Sequence, residues 1–332
     1  MTTYQFTKNQ HTVPRTWLQH FTTGSSSKIH VFDTQKNVYD GSENIKKVSY
    51  IENFYDFNQE INEHFINNGV FQEPADEQFV ETKLLARKVE NNLGTVLPQI
   101  LQKLNHHKTN ILEKEQKSAF SVHIAIQMLR TSVMREFLIK CLKKINELGT
   151  KEQREEYQLD VEKMKELHHY GVLTNLELIT HYAQDYLSKS WVFLKRGSGS
   201  MPFFISDNPI VFDRFGEGYN YCVPLSSDYL LFLVDPKYKV TIFNKPVFPQ
   251  TKPYKVENLQ DYENSVVEVD DKIISKLNIR QVEQCDHQVF ASENSFAWLG
   301  GITINKTGIS KINHPDFKEE FFTNFIKNLL EK

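Results

Sequence analysis

The chain has 332 residues, of which 39% are hydrophobic, 12% aromatic and 24% charged. This composition provides enough apolar volume for a packed core and argues against disorder of the whole chain. The formal net charge of -3 argues against a globally basic surface for nucleic acid, although a local basic groove stays open.

The cysteines and the apolar runs indicate in which cellular compartment the protein resides. Cys141, Cys222 and Cys285 lie far apart and form no C-x-x-C pair, which is typical of buried thiols in a reducing compartment. The N-terminus lacks the apolar segment of a signal peptide, and the longest apolar run, Tyr229–Val234, is too short to cross a bilayer. We therefore expect a soluble, cytoplasmic protein with no membrane segment.

The N-terminal part, residues 1–72, contains strand patterns. Lys28–Asp33 alternates between apolar and polar residues and is followed by a turn and Val38–Tyr39, which predicts a β-hairpin. Val48–Ile51 is a further strand-like stretch.

The middle part, residues 73–188, is predicted to be helical because apolar residues recur there at helical spacing. The predicted helices are 77–92, 113–148, 151–166 and 176–187. Gly94 and Pro98 predict an interruption after the first of them. The second is apolar on so much of its surface that we expect it to be buried centrally.

The C-terminal part, residues 189–332, mixes strands and helices. Two strands that flank Gly197–Ser200 predict a hairpin, because this glycine-rich stretch lacks a P-loop's lysine and following helix. The other predicted elements are strands at 221–223, 229–234 and 288–291, and helices at 265–285 and 315–330. Strands and helices segregate along the chain, so we predict an α+β fold. In this fold the helical middle packs with a mixed or antiparallel sheet from the two terminal parts, in one domain over 1–332.

The histidine doublets and the common catalytic motifs give little support to a specific chemistry. His106–His107 and His168–His169 each place neighbouring side chains about 100° apart on a helix, so a surface or helix-end role is favoured over chelation. The sequence contains no H-E-x-x-H and no G-x-S-x-G.

Two groups of polar residues each allow a structural and a functional interpretation. Gln127 and Arg130 share a face of the most apolar helix, where they form either a structural hydrogen-bond node or a contact to an anion or substrate. Asp207 follows an apolar strand and precedes Asn208-Pro209. It is either a catalytic or metal-binding carboxylate at a strand end or part of an Asx-turn.

Several short motifs follow one another in order. They are His11–Phe21 (His-x-x-Pro-x-x-x-Leu-x-x-Phe), Glu52–Tyr55 (Glu-x-Phe-Tyr), a helix with Glu81 and Glu90, Gln127–Thr131 (Gln-x-x-Arg-Thr), Ser206–Pro209 (Ser-Asp-x-Pro) and Pro224-Leu225. Together they resemble the bacterial domain-of-unknown-function family 4238 over about residues 10–295. Each motif is weak alone, and their order makes the resemblance much more specific. Some members resemble anti-phage defence proteins, which implies a biological context and no particular chemistry.

The resemblance implies a set of polar residues that could converge in space. His11, Glu81, Glu90 and Asp207 are the implied catalytic residues. Gln127 and Arg130 are the implied substrate contacts, and Glu52, Glu90 and Asp207 the implied ligands of Mg²⁺ or Mn²⁺. Such a set suits a metal-dependent nuclease or phosphohydrolase that acts on nucleic acid or nucleotides in anti-phage defence. The alternative is a non-catalytic sensor that binds a phage or host component, with the polar residues serving as caps and core hydrogen bonds.

Overall fold

The computed structural model describes residues 7–57, 63, 67, 78–148, 168–213, 219–237, 241–244, 255–302 and 304–306. The strands are β1 (Asn9–His11), β2 (Lys28–Asp33), β3 (Val38–Asn44), β4 (Tyr50–Glu52), β5 (Ser190–Arg196), β6 (Ile205–Ser206), β7 (Val211–Asp213), β8 (Asn220–Pro224), β9 (Tyr229–Val234), β10 (Thr241–Asn244), β11 (Lys255–Asn258), β12 (Ser265–Val269) and β13 (Gln288–Ala291). The α-helices are α1 (Arg15–Leu18), α2 (Asn91–His106), α3 (Lys114–Leu129), α4 (Ser132–Leu148), α5 (Leu176–Ser188) and α6 (Asp271–Gln284). A π-helix, Phe79–Glu90, runs directly into α2.

One sheet combines strands from the N-terminal and C-terminal parts of the chain. Its strand order is β3-β2-β13-β6, and every neighbouring pair is antiparallel. The predicted hairpin is therefore confirmed as β2 and β3, with a bulge between Val31 and Phe32. Helices and mostly antiparallel sheets segregate along the chain, which confirms the predicted α+β fold.

A second sheet is formed by the C-terminal part alone, in the order β12-β5-β9-β8-β7. All its pairs are antiparallel except β12 with β5, so the sheet is mixed. The predicted hairpin across Gly197–Ser200 is wrong, because β5 pairs with β9 and β12 whereas β6 pairs with β13 in the other sheet. The turn itself is present, with Gly199 at a φ of +77°.

The predicted helix over 265–285 is wrong in its first turn. Ser265–Val269 alternates and is rich in β-branched residues, and it pairs with β5 as β12. Asp270 then accepts a hydrogen bond from the Ile273 N–H and begins α6 as its N-cap.

The helical middle differs from the sequence prediction at two breaks. Pro98 does not interrupt α2, which continues to His106 while burying Leu93, Leu97 and Leu104 along one face. Conversely, the long helix predicted at 113–148 ends at Leu129 and restarts at Ser132. Its first half is buried centrally as predicted. The helices predicted at 151–166 and 315–330 lie outside the described residues.

The largest hydrophobic cluster draws on all three parts of the chain. Phe120 of α3 lies between Trp17 and Trp191, with ring centroids 6.3 Å from each. No helix in the described part of the chain combines the length and the apolar character that crossing a bilayer requires.

Candidate functional site

The junction between α3 and α4 places the Gln127–Thr131 motif. The Thr131 hydroxyl accepts a hydrogen bond from the Met134 N–H at 3.3 Å, and Thr131 therefore caps α4 in the way that N-cap threonines do. Gln127 donates from its amide to the Thr12 carbonyl at 2.9 Å. This contact favours the structural node over a substrate contact for Gln127.

Arg130, between these two residues, is almost completely buried, with 1% of its surface exposed. Its Nη1 donates to Glu90 Oε1 at 2.9 Å, its Nε to the Tyr55 hydroxyl at 3.1 Å, and its Nη2 to the His11 carbonyl at 2.6 Å. Burial by itself would lower the pKa of Arg130, but Tyr55 and Glu90 outweigh it and hold the pKa above its ordinary value. Arg130 is thus a fixed cation whose guanidinium is engaged by protein groups.

The π-helix brings the second glutamate to the same place. Glu81 and Glu90 are nine positions apart. In an α-helix, with about 100° per residue, nine positions end on the opposite face. A π-helix has wider i→i+5 turns of about 4.4 residues, so nine positions make roughly two full turns. Both carboxylates therefore share one face, and each interacts electrostatically with Arg130.

Glu81 has a strongly perturbed acidity. Burial raises the pKa of Glu81 to about 7; Arg130 opposes the rise and Glu90 adds to it. Its Oε2 is buried and has no hydrogen-bond partner among the described residues. A buried polar atom without a partner is uncommon and calls for a functional or solvent explanation.

His11 also has a buried atom, Nε2, without a hydrogen-bond partner among the described residues. Burial lowers the pKa of His11 to about 4, and the charge of Arg15 lowers it further. The imidazole is therefore neutral at pH 7. The charges of Arg15, Glu90 and Arg130 act on both His11 and Glu81.

We call these residues the Arg130 cluster: His11, Tyr55, Glu81, Glu90 and Arg130. Four of its five members were predicted from the sequence. Tyr55 lies in the Glu-x-Phe-Tyr motif, where only the glutamate was singled out; burial raises the pKa of Tyr55 to about 12 and keeps the phenol neutral.

Arg15 is a further residue that sequence reasoning missed. Its side chain is exposed and forms no ion pair within the described residues, yet its charge influences both His11 and Glu81. It follows Pro14 at the start of α1, where no sequence signal distinguishes it from an ordinary surface arginine.

The predicted metal ligands Glu52, Glu90 and Asp207 do not form a site together. Glu52 lies on the exposed β4, where it pairs with Lys8 at 3.0 Å. Glu90 is bound by Arg130. In the described ranges no three His, Cys, Asp or Glu side chains are grouped so that they could hold a metal ion. These residues therefore do not fit the implied Mg²⁺ or Mn²⁺.

Asp207 is held by backbone groups. Its carboxylate accepts hydrogen bonds from the N–H groups of Asp286, His287 and Gln288 at 2.7–2.8 Å. Burial raises the pKa of Asp207 to about 6, and nearby Asp286 adds to the rise while the three N–H groups oppose it. This geometry favours a turn-fixing role at the entrance to β13. Asp207 also lines a cavity of about 360 Å³.

The second histidine doublet was predicted at a surface or helix end, and the surface position is wrong. His168 and His169 are 7% and 1% exposed, and His169 packs on Phe54 and Tyr55 with centroids 4.4 and 4.7 Å away. Burial lowers the pKa of His168 to about 3, so a neutral ring serves as an aromatic core residue. The first doublet does lie at a helix end, because α2 ends at His106.

Comparison with known proteins identifies a family without an assigned activity. The family model of DUF4238, described as protein of unknown function, matches residues 9–295. No curated protein and no solved structure shows significant similarity to the chain. Since the match covers most of the chain and confirms the resemblance carried by the ordered motifs, this protein belongs to the DUF4238 family.

Proposed function

We propose that the Arg130 cluster is the acid–base centre of a cytoplasmic hydrolase that cleaves phosphate esters of nucleotides or nucleic acid. The observation that carries the proposal is the unsatisfied carboxyl of Glu81, whose pKa is about 7. A general acid or base is most effective when its pKa lies near the working pH. Glu81 can therefore accept a proton from an attacking water and return it to the leaving oxygen.

The charges around Glu81 support an anionic substrate. Arg15 is exposed and has no ion pair among the described residues, whereas Arg130 already donates to three protein groups. Arg15 is thus the cation available to a phosphate, and its guanidinium suits that geometry. Arg130 instead positions Glu90 and the strand that carries His11. Some members of the family resemble anti-phage defence proteins, and we take anti-phage defence as the proposed biological setting.

The hydrolysis of bis-p-nitrophenyl phosphate tests the proposal. We expect Glu81→Gln to lower the rate by roughly 10²–10⁴-fold, and the wild-type rate to rise with pH around a midpoint near the Glu81 pKa of about 7. The matched change Glu52→Gln, at an exposed surface ion pair, should leave the rate unchanged. A folded Glu81→Gln variant with the full rate would overturn the proposal and favour the non-catalytic alternative.

The same assay tests the predicted dependence on metal. Because the described carboxylates form no three-ligand group, we expect hydrolysis to persist in EDTA. A rate that disappears in EDTA and returns with Mn²⁺ would contradict an acid–base centre that works without a metal.

A further inference from the structure

The cavity near Asp207 lies directly beside the Arg130 cluster. Tyr50 forms part of its wall and is also the cross-strand partner of His11 in the β1–β4 pair. Directly opposed residues of an antiparallel pair project to the same side, and the two rings lie 6.2 Å apart. Ser132, another wall residue, is two positions after Arg130. The cavity therefore adjoins the β1–β4 pair that carries His11 and the α3–α4 junction that carries Arg130.

Two of the three carboxylates in the wall are held by backbone N–H groups. Asp207 accepts three backbone hydrogen bonds. Asp33 accepts from the N–H groups of Gln35 and Lys36 and pairs with the Lys36 ammonium at 2.9 Å. These two carboxylates are therefore less available to a ligand, and repel an anion less, than the composition of the wall suggests.

Four wall residues retain groups that a ligand can use. Asp286 accepts a hydrogen bond from the Ser132 hydroxyl to Oδ2 at 2.6 Å, and its Oδ1 lies 3.5 Å from His287 Nε2. Its side chain is still 33% exposed, so the remaining lone pairs of the carboxylate are open to a ligand. The side-chain oxygen of Gln288, Oε1, accepts a hydrogen bond from the Ser49 N–H. The side-chain NH₂ group of Gln288 is left as a donor for a ligand. Tyr50 is 37% exposed, and Lys47 is exposed with no ion pair in the described part of the chain.

These groups define the chemistry of a ligand. The Tyr50 ring suits a planar base, the Asp286 carboxylate suits adjacent N–H donors, and Lys47 suits an anion. A volume of about 360 Å³ lies within the range of small-ligand pockets. We infer that the cavity binds the nucleoside part of a purine nucleotide, with the base on Tyr50 and its N–H groups on Asp286. The inference rests on the proposed function only in directing the phosphate toward Arg15 and Glu81.

Calorimetric titration with guanosine 5′-monophosphate tests the inference. Guanine offers adjacent N–H and NH₂ donors for a carboxylate. We expect Tyr50→Ala and Asp286→Asn each to weaken binding at least tenfold, and Tyr50→Phe, which keeps the ring, to stay within about threefold. Tyr39→Ala is the matched control, because Tyr39 is a similarly exposed tyrosine at 40% that does not line this cavity.

The outcomes separate this inference from the proposed function. The inference is overturned if guanosine 5′-monophosphate does not bind, if Tyr50→Ala leaves its affinity unchanged, or if ribose 5-phosphate, which lacks the base, binds as tightly. Binding that depends on Tyr50, together with hydrolysis that is indifferent to Glu81→Gln, would support the inference while the hydrolase proposal fails. If hydrolysis of bis-p-nitrophenyl phosphate depends on Glu81 but the nucleotide does not bind, the hydrolase proposal is supported and the inference fails.

Discussion

Glu81 is a carboxylic acid that is about half protonated at neutral pH, since burial raises its pKa from 4.5 to about 7. The unfolded chain, with the ordinary value, releases this proton at much lower pH. Between the two values the folded state binds more protons than the unfolded state. The contribution of Glu81 therefore lowers the free energy of unfolding as the pH rises from about 4.5 to about 7.

We predict that Glu81→Gln stabilises the protein at pH 8 by on the order of 2 kcal/mol and changes stability little at pH 4.5. The amide keeps the shape of the protonated acid and cannot acquire the unfavourable buried charge. Urea unfolding at the two pH values measures the difference. Glu52→Gln should change the free energy of unfolding by less than about 0.5 kcal/mol at both pH values. A Glu81→Gln variant that is less stable than wild type at pH 8 would show that the charged form is favoured in the fold.

The Glu81→Gln variant is thus expected to be more stable and less active, and both effects have the same physical cause. Groups used in catalysis are often held in environments that disfavour their charged form, and proteins accept reduced stability there. Arg130 differs in this respect, because its charge is compensated by Glu90 and by two oxygen acceptors. Truncating Arg130 would disturb folding as well as function, and Glu81 is therefore the sharper probe of chemistry.

At the scale of elements, the π-helix is a feature that the sequence could not predict. Apolar spacing over 77–92 correctly predicts a helix there, but spacing cannot distinguish i→i+4 from i→i+5 turns in so short a segment. With α-helical turns Glu81 and Glu90 would lie on opposite faces, and only the π-helical turns unite them beside Arg130. The sequence could therefore indicate these residues through the ordered motifs, but it could not show how they meet.

Errors elsewhere have a similar origin in long-range pairing. The stretches beside Gly197–Ser200 were correctly assigned as strands, yet their partners, β9, β12 and β13, lie far along the chain. His168 and His169 were expected at the surface or a helix end, because no local pattern reveals the aromatic residues Phe54 and Tyr55 that cover His169. Local propensity gave the elements, and tertiary contacts decided their neighbours.

The break between α3 and α4 depends on a local hydrogen bond that can be tested. We predict that Thr131→Val lowers the free energy of unfolding by about 1 kcal/mol, because the Met134 N–H loses the hydroxyl that caps α4. Thr131→Ser keeps the hydroxyl and should retain most of the stability. Thermal unfolding followed by circular dichroism gives the comparison, and equal losses in the two variants would contradict the capping role.

At the scale of the molecule, the N-terminal and C-terminal parts of the chain depend on each other. β13 lies between β2 and β6, so the N-terminal hairpin completes its sheet only with strands from the C-terminal part. Trp17, Phe120 and Trp191 link the N-terminal, middle and C-terminal parts in one series of buried rings. Contacts of this kind, spread across the sequence, favour a single cooperative unit.

We therefore predict that the protein unfolds in one transition, in keeping with the single domain expected from the sequence. In protein labelled with 5-fluorotryptophan, the native ¹⁹F resonances of Trp17 and Trp191 should disappear at the same urea concentration. Phe120→Ala should lower the free energy of unfolding by about 3–5 kcal/mol and should move both midpoints equally, because Phe120 contacts both indoles. A shift in the midpoint of one resonance that leaves the other unchanged would contradict this prediction. The N-terminal and C-terminal parts would then unfold independently, and the packing of Phe120 on both indoles would not couple them.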